Sequence, residues 1–136
     1  MGRIIGIDYG EKRTGLAVTD PLGIAVNSLK GLDTTDLFQF VEEYVKKEKV
    51  DKIVLGLPSY ADDTPTPVVV KIKKLIKQLN KSFPHIVTDT IDEGFSSAQA
   101  KQALLLSGVK KQKRKDKYLI DMMSAVIILQ EYLGHI

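Results

Sequence analysis

The first thirty residues contain three short apolar runs separated by turn-forming residues. The runs cover about residues 3–8, 14–19 and 24–29, which are lengths typical of β-strands. Between the second and third runs, Asp20, Pro21 and Gly23 occupy positions that a type I turn favours. Three strands joined by such short connections predict an antiparallel meander.

Beyond the meander, the spacing of apolar residues changes to that of an amphipathic helix. Five apolar side chains recur at intervals of three and four residues: Leu37, Phe40, Val41, Tyr44 and Val45. This spacing places them on one face of a helix, for which Thr34 or Thr35 is the expected N-cap. An apolar segment at residues 52–57 predicts a fourth strand.

A second helix is predicted to start at Thr66 and Pro67, which have the residue types of an N-cap and a first helical position. A fifth strand follows at residues 86–91. The resulting alternation of helices and strands predicts connections of the kind found in α/β proteins.

The last part of the chain predicts two further helices. Ser96 and Gln99 form a capping box for a helix that ends at Gly108, and a final helix covers about residues 116–133. The order β-β-β-α-β-α-β-α-α predicts an α/β fold, a mixed five-stranded sheet with helices on both faces.

Composition limits the class of protein. The 136 residues contain no cysteine, which excludes a disulfide scaffold, a cysteine-based zinc site and a thiol nucleophile. This length suits one compact domain, so we expect a single domain over residues 1–136. Neither a signal peptide nor an uncharged stretch of membrane-spanning length is visible. We therefore expect a cytoplasmic protein with no membrane partner.

The basic residues are unevenly distributed. The net charge of +3, from 20 basic and 17 acidic residues, indicates little by itself, but residues 110–117 contain six lysines or arginines and one acid. Five of them are candidate contacts to nucleic-acid phosphates: Lys110, Lys111, Lys113, Arg114 and Lys115. The alternative is a solvated loop without a ligand.

Two aspartates stand in apolar surroundings. Asp8 ends the first apolar strand, where it is either a positioned ligand or a turn residue before Tyr9 and Gly10. Asp121 is the only charged residue between Tyr118 and Gln130, in a segment that packing would bring against the protein. Burying an unpaired carboxylate costs several kcal/mol. Asp121 therefore needs either a metal ion or a nearby lysine or arginine.

Glu93 follows the fifth strand and could face the same crevice as Asp8 and Asp121. Three converging carboxylates repel one another unless they hold a cation, and their hard oxygens suit Mg²⁺ or Mn²⁺. Two such ions can activate water and stabilise the leaving oxygen of a phosphodiester. A histidine-based site is poorly supported, because His85 and His135 are the only histidines.

The motifs together resemble one family. The segment DYGEKRTGLA at residues 8–17 is similar to the opening motif D-x-G-x-K-R-x-G-x-A of the YqgF/RuvX-type family of pre-16S rRNA nucleases, also described as Holliday junction resolvases. The segments DPLG at residues 20–23, GLP at 56–58, IDE at 91–93 and DMMSAVIIL at 121–129 resemble further family segments in the same order.

This resemblance covers essentially the whole chain and implies an RNase H-like nuclease domain. It implies that Asp8, Glu93 and Asp121 are catalytic and bind Mg²⁺ or Mn²⁺, with two ions when substrate is present. Lys12 and Arg13 would lie near the site and bind phosphate. The simpler interpretation is that both residues belong to a solvated hairpin tip. The chain has Gly94 where the family has an arginine, which we expect to affect activity and substrate choice more than fold.

Several functions remain open at this stage. Family grounds favour 5′-end processing of precursor 16S rRNA, by a monomer or a homodimer; the alternative is resolution of Holliday junctions, which are branched DNA. A non-catalytic nucleic-acid-binding module is a further alternative. The spacing of Asp8, Gly10 and Gly15 also resembles the phosphate loop of sugar kinases, but those proteins need two such domains to hold ATP.

Overall fold

The computed structural model describes residues 2–58, 66–92 and 117–135. These ranges contain five strands: β1 (Arg3–Asp8), β2 (Arg13–Thr19), β3 (Val26–Asp33), β4 (Val50–Leu57) and β5 (Val87–Asp92). They also contain three α-helices: α1 (Leu37–Lys47), which follows a 3-10 helix at Thr34–Asp36, α2 (Pro67–Ser82) and α3 (Lys117–Tyr132).

The five strands form one mixed sheet in the order β3-β2-β1-β4-β5. Antiparallel pairing joins β1 to β2 and β2 to β3, whereas β4 runs parallel to β1 and β5 runs parallel to β4. The predicted meander and mixed sheet are confirmed. Because β1, β4 and β5 run in the same direction, Asp8, Leu57 and Asp92 mark one end of the sheet, called here its carboxyl end.

Each face of the sheet has its own core, because side chains alternate along every strand. One core packs beneath α1 and α2 and includes Ile5, Ile7, Ile53, Leu55, Val41 and Ile72. The other packs beneath α3 and includes Ala17, Val54, Ala125, Ile128 and Leu129. The prediction of helices on both faces is therefore confirmed.

Glycines allow α3 to lie very close to the meander. A Cβ atom at Gly15 would overlap the carbonyl oxygen of Asp121, and one at Gly31 would lie 2.7 Å from the Cβ of Tyr118. The backbone of α3 consequently rests on β2 and β3 with no intervening side chain at these two points. Substitution of either glycine would push the helix away from the sheet.

The far end of α3 is attached to the sheet by a chain of polar contacts. Lys52 donates from Nζ to the Tyr132 hydroxyl over 2.8 Å, and that hydroxyl donates to Oδ2 of Asp89, also over 2.8 Å. The hydrogen bond from Tyr132, helped by the amide of Thr90, lowers the pKa of Asp89, while the bond to Tyr132 raises the pKa of Lys52.

Two local predictions were wrong. The third strand was expected at residues 24–29, but β3 covers Val26–Asp33. It lies at the sheet edge with many exposed side chains, so its apolar alternation is weak. The N-cap of α1 is Asp36, without a side-chain hydrogen bond. Thr34, one of the expected caps, instead donates its hydroxyl hydrogen bond to the Gly10 carbonyl over 2.5 Å.

Other predictions hold where the structure describes the residues concerned. Thr66 caps α2 by accepting a hydrogen bond of 3.3 Å from the Val69 amide, and Pro67 is the first helical residue. The helix expected between Ser96 and Gly108, and the five basic candidates at positions 110–115, lie outside the described residues. No helix in the described ranges has the length and apolar character needed to cross a membrane.

Candidate active site

The structure brings Asp8 and Asp121 to the same place at the carboxyl end of the sheet. Asp8 is the last residue of β1, and its cross-strand partner in β2 is Gly15. The backbone of α3 passes over Gly15 at Asp121. Both aspartates therefore line one cleft of about 330 Å³, together with residues 9–13.

Asp121 is paired with a cation. Its Oδ2 atom lies 3.0 Å from Nε of Arg13, the first residue of β2, and only 15% of the Asp121 side chain is exposed. Sequence reasoning left a metal ion and a basic partner as alternatives for this carboxylate, and the structure shows that a basic partner is present. That partner is Arg13, one of the two hairpin residues expected near the site.

The loop between β1 and β2 is held in place from a neighbouring element. Thr34 donates its backbone N–H to the Lys12 carbonyl over 3.0 Å and its hydroxyl to the Gly10 carbonyl. The Thr34 hydroxyl also lies 2.8 Å from that of Thr14. These contacts fix the path of the loop, so Lys12 and Arg13 lie on the cleft wall as expected.

Two further residues of the cleft wall were missed by sequence reasoning. Tyr9 lines the cleft, and Glu11 lies 3.6 Å from Nζ of Lys71 in α2. The pair between Glu11 and Lys71 joins the loop to a helix on the opposite face of the sheet. No local sequence signal indicates this contact, because it depends on where the second turn of α2 lies relative to the loop.

The third expected carboxylate, Glu93, lies outside the described residues, as does Gly94. The preceding strand, β5, ends at Asp92 at the carboxyl end of the sheet, two strands away from Asp8. In the described ranges, no group of three or more histidine, cysteine, aspartate or glutamate side chains is arranged to hold a metal ion. Of the three carboxylates expected from the sequence, the described part of the site contains two, Asp8 and Asp121.

The chain is similar to known proteins over almost its entire length. A family described as RuvX, Holliday junction resolvase, matches residues 2–135. A relative from Christiangramia forsetii is 44% identical over 133 residues, covering 98% of each chain. One from Porphyromonas gingivalis is 46% identical over 135 residues, covering 99% of this chain and 98% of the relative. Both carry the name "Putative pre-16S rRNA nuclease".

Solved structures share the fold at low sequence identity. The fowlpox virus Holliday junction resolvase has a TM-score of 0.62 at 14% identity, covering 98% of this chain and 99% of that one. Thermus thermophilus RuvC in complex with a Holliday junction substrate has a TM-score of 0.57 at 16% identity, covering 98% and 97%. The predicted RNase H-like fold is thereby confirmed.

The family match and the curated relatives span almost the entire chain. The expectation of a nuclease is confirmed at the level of the family, because relatives that align with almost the whole chain are named as nucleases. The cleft that holds Asp8, Arg13 and Asp121 lies within the matched region. The chain belongs to the RuvX family of Holliday junction resolvases.

Proposed function

We propose that this protein hydrolyses phosphodiester bonds with divalent metal ions, and that its substrate is the 5′ end of precursor 16S rRNA. The observation that supports the chemistry most directly is the placement of Asp8 and Asp121 in one cleft, with Arg13 bonded to Asp121. Such a cleft brings together carboxylates that can bind a metal ion and a guanidinium that can bind a phosphate.

The donor atoms suit a hard cation. Asp8 and Asp121 offer carboxylate oxygens, which Mg²⁺ and Mn²⁺ prefer, and no described residue of the cleft offers sulfur or imidazole. We propose Glu93 as the third ligand, since it follows β5, which ends at the same end of the sheet as Asp8. When bound, a pair of such ions lowers the pKa of the attacking water and stabilises the leaving oxygen.

Arg13 and Lys12 perform a separate task in this proposal. The guanidinium has five N–H donors, of which Nε–H serves Asp121, so other donors remain for a phosphate oxygen. Lys12 adds a second positive charge on the same wall. We propose that both residues bind the scissile phosphate, and that Lys110, Lys111, Lys113, Arg114 and Lys115 bind the backbone further away.

The substrate assignment is supported by the names of the curated relatives, which cover 98% and 99% of this chain. The second candidate is the Holliday junction, which is favoured by the description of the matching family. A junction-cutting enzyme needs two sites and therefore a homodimer, whereas rRNA processing is compatible with a monomer. With either substrate, we propose that the protein acts on nucleic acid in the cytoplasm, as a single domain over residues 1–136.

The decisive experiment compares cleavage by wild type, Asp8→Asn and Asp121→Asn with Mg²⁺, with Mn²⁺ and with chelator. Each enzyme is offered a precursor 16S rRNA fragment and a four-way DNA junction. We expect metal-dependent cutting of the RNA by wild type and a loss of at least about 100-fold in either variant, because a ligand carboxylate is removed.

Asp20→Asn is the matched control. Asp20 is at the opposite end of β2, and the amide oxygen of asparagine can still accept the hydrogen bond that Oδ1 receives from the Ile24 amide. This variant should cut as wild type does. Cutting of the junction in preference to the RNA would select the second candidate, and cutting that persists in chelator would refute the metal mechanism.

A further inference from the structure

The outer surface of α2 carries a dense row of positive charge. Five lysines occur in this helix, which contains no acidic residue: Lys71, Lys73, Lys74, Lys77 and Lys81. At 3.6 residues per turn they fall on one continuous side of the helix, opposite the buried Val69, Ile72, Leu75 and Leu79. All five are exposed. We call this side the lysine face of α2.

Among the described residues, acidic side chains pair with only a small part of the lysine face. Lys71 lies 3.6 Å from Glu11, and the other four lysines have no acidic partner within ion-pair distance in the described parts of the chain. The adjacent helix α1, in contrast, has Glu42 and Glu43 near its middle. Positive charge is therefore concentrated on α2, on the side of the sheet that carries both helices.

This face is continuous with the candidate active site. A cavity of about 220 Å³ is lined by the start of α1 and by α2, and its walls include Tyr9, Phe38, Thr35, Lys71 and Lys74. Tyr9 also lines the cleft itself. A chain that leaves the cleft over Tyr9 would thus meet Lys71 and Lys74 first, and then the remaining lysines of the helix.

The chemistry of this route suits a nucleic-acid strand. Aromatic rings stack on bases without sequence preference, and rows of lysines follow the phosphates of a single strand. The distance along the helix axis from Lys71 to Lys81 is about 15 Å at 1.5 Å per residue. That length corresponds to roughly four nucleotides of a stacked strand.

We propose that the substrate strand leaving the cleft passes over Tyr9, with a base against its ring, and places its phosphates along the lysine face of α2. This inference rests on the proposed function, because it assigns a path to the substrate of that reaction. It adds a binding surface that lies on the opposite side of the sheet from α3.

The test compares two triple variants that change the net charge equally. K74A/K77A/K81A removes three lysines from the lysine face, and K46A/K47A/K49A removes three exposed lysines at the distal end of α1 and the connection after it. Alanine favours helix formation, so both proteins should fold, which circular dichroism verifies. Binding of a labelled single-stranded RNA is measured by fluorescence anisotropy in chelator over a range of salt concentrations.

The K74A/K77A/K81A variant should bind the RNA at least roughly tenfold more weakly than wild type at about 0.15 M salt. The slope of log affinity against log salt concentration should become shallower by about 2. The control should remain close to wild type in both respects. A 2-aminopurine base in the RNA should be quenched in wild type and less so in Tyr9→Leu. Equal affinities for the two triple variants would overturn the inference.

The experiment also separates this inference from the proposed reaction. Binding is measured in chelator, so its outcome does not depend on cleavage. Lysine-dependent binding without metal-dependent cutting would refute the reaction and leave the strand path intact. Metal-dependent cutting, together with an RNA affinity that K74A/K77A/K81A leaves unchanged, would refute the strand path and leave the reaction intact.

Discussion

Arg13 and Asp121 are separated by 108 positions in the sequence, yet their side chains meet at 3.0 Å. The pairing provides an explanation, other than metal binding, for an aspartate in an apolar helix. A carboxylate that already has a cation does not require a metal ion to be stable. Arg13 therefore occupies Oδ2 of Asp121 in the cleft, and a metal ion would compete with the guanidinium for that oxygen atom.

This competition predicts that Arg13→Gln increases the affinity of the cleft for Mn²⁺ by about fivefold, since a partly exposed ion pair contributes up to about 1 kcal/mol. Titration calorimetry without nucleic acid measures the affinity. The same variant should cleave more slowly, because a phosphate contact is lost. Lys12→Gln is the control, as Lys12 lies on the same cleft wall without bonding to Asp121. A lower Mn²⁺ affinity in Arg13→Gln would mean that Arg13 positions Asp121 for the metal.

The sequence motifs were sufficient to place Asp8, Lys12, Arg13 and Asp121 near one site, but they could not select the partner of Asp121. A side-chain pair between β2 and α3 depends on how far the helix lies from the sheet and on its rotation. Neither quantity has a signature in the spacing of residues. Of the glycines that set the distance, Gly15 was visible in the sequence only as part of a motif, and Gly31 lies beyond the residues predicted for the third strand.

At the scale of elements, prediction succeeded where the apolar pattern is strong and failed where side chains are exposed. The stripe of α1 and the cap of α2 were predicted correctly, because burial and capping leave local signals. The bounds of β3 were wrong because that edge strand has Leu32 as its only buried residue. Thr34 was misassigned because its hydroxyl bonds a distant loop, not its own helix.

The contact between α3 and β5 predicts a pH effect. The Tyr132 hydroxyl lowers the pKa of Asp89, so in Tyr132→Phe that pKa should rise towards its ordinary value. Carbon-detected NMR titration of the carboxyl group measures the change. The hydrogen bond from Tyr118 to Asp33 makes Tyr118→Phe a suitable control, which should leave Asp89 unaffected. An unchanged Asp89 pKa in Tyr132→Phe would contradict the assignment.

The sign of the effect on stability follows from linkage. A carboxyl group whose pKa is lowered by folding stabilises the protein above its unfolded pKa of about 3.9, and this contribution disappears as the pH falls through the folded pKa. Wild type should therefore lose slightly more stability than Tyr132→Phe between neutral and acidic pH. The difference is small, because Asp89 is exposed to solvent.

At the scale of the whole molecule, the order of elements along the chain, the mixed sheet and the covering of both faces were predictable from the alternation of patterns along the chain. The chemistry is divided between the faces. The α3 face supplies Asp121, the α1 and α2 face supplies a lysine row, and the loop of residues 9–12 lies between them at the carboxyl end. That division emerged only from the structure, because the lysines of α2 are as common in solvated helices as in binding ones.

Metal binding should stabilise the whole protein. A metal concentration ten times the dissociation constant adds about 1.4 kcal/mol to the free energy of unfolding. For a chain of this length, this corresponds to an increase in Tm of about 4–6 °C. Differential scanning fluorimetry with Mn²⁺ should show the increase in wild type and lose most of it in Asp8→Asn. An equal increase in both proteins would indicate that the metal binds elsewhere.

The contact between Gly15 and the Asp121 carbonyl has a consequence for protein engineering. Since main chain meets main chain there, the separation of β2 and α3 at this point is set by Gly15 and not by the size of a side chain. The apolar residues beneath α1 and α2 can then be redesigned extensively, for instance for heat resistance, without altering the spacing of the two aspartates. A designer who keeps Gly15 and Gly31 would preserve the close approach of α3 to the sheet while replacing the opposite half of the interior.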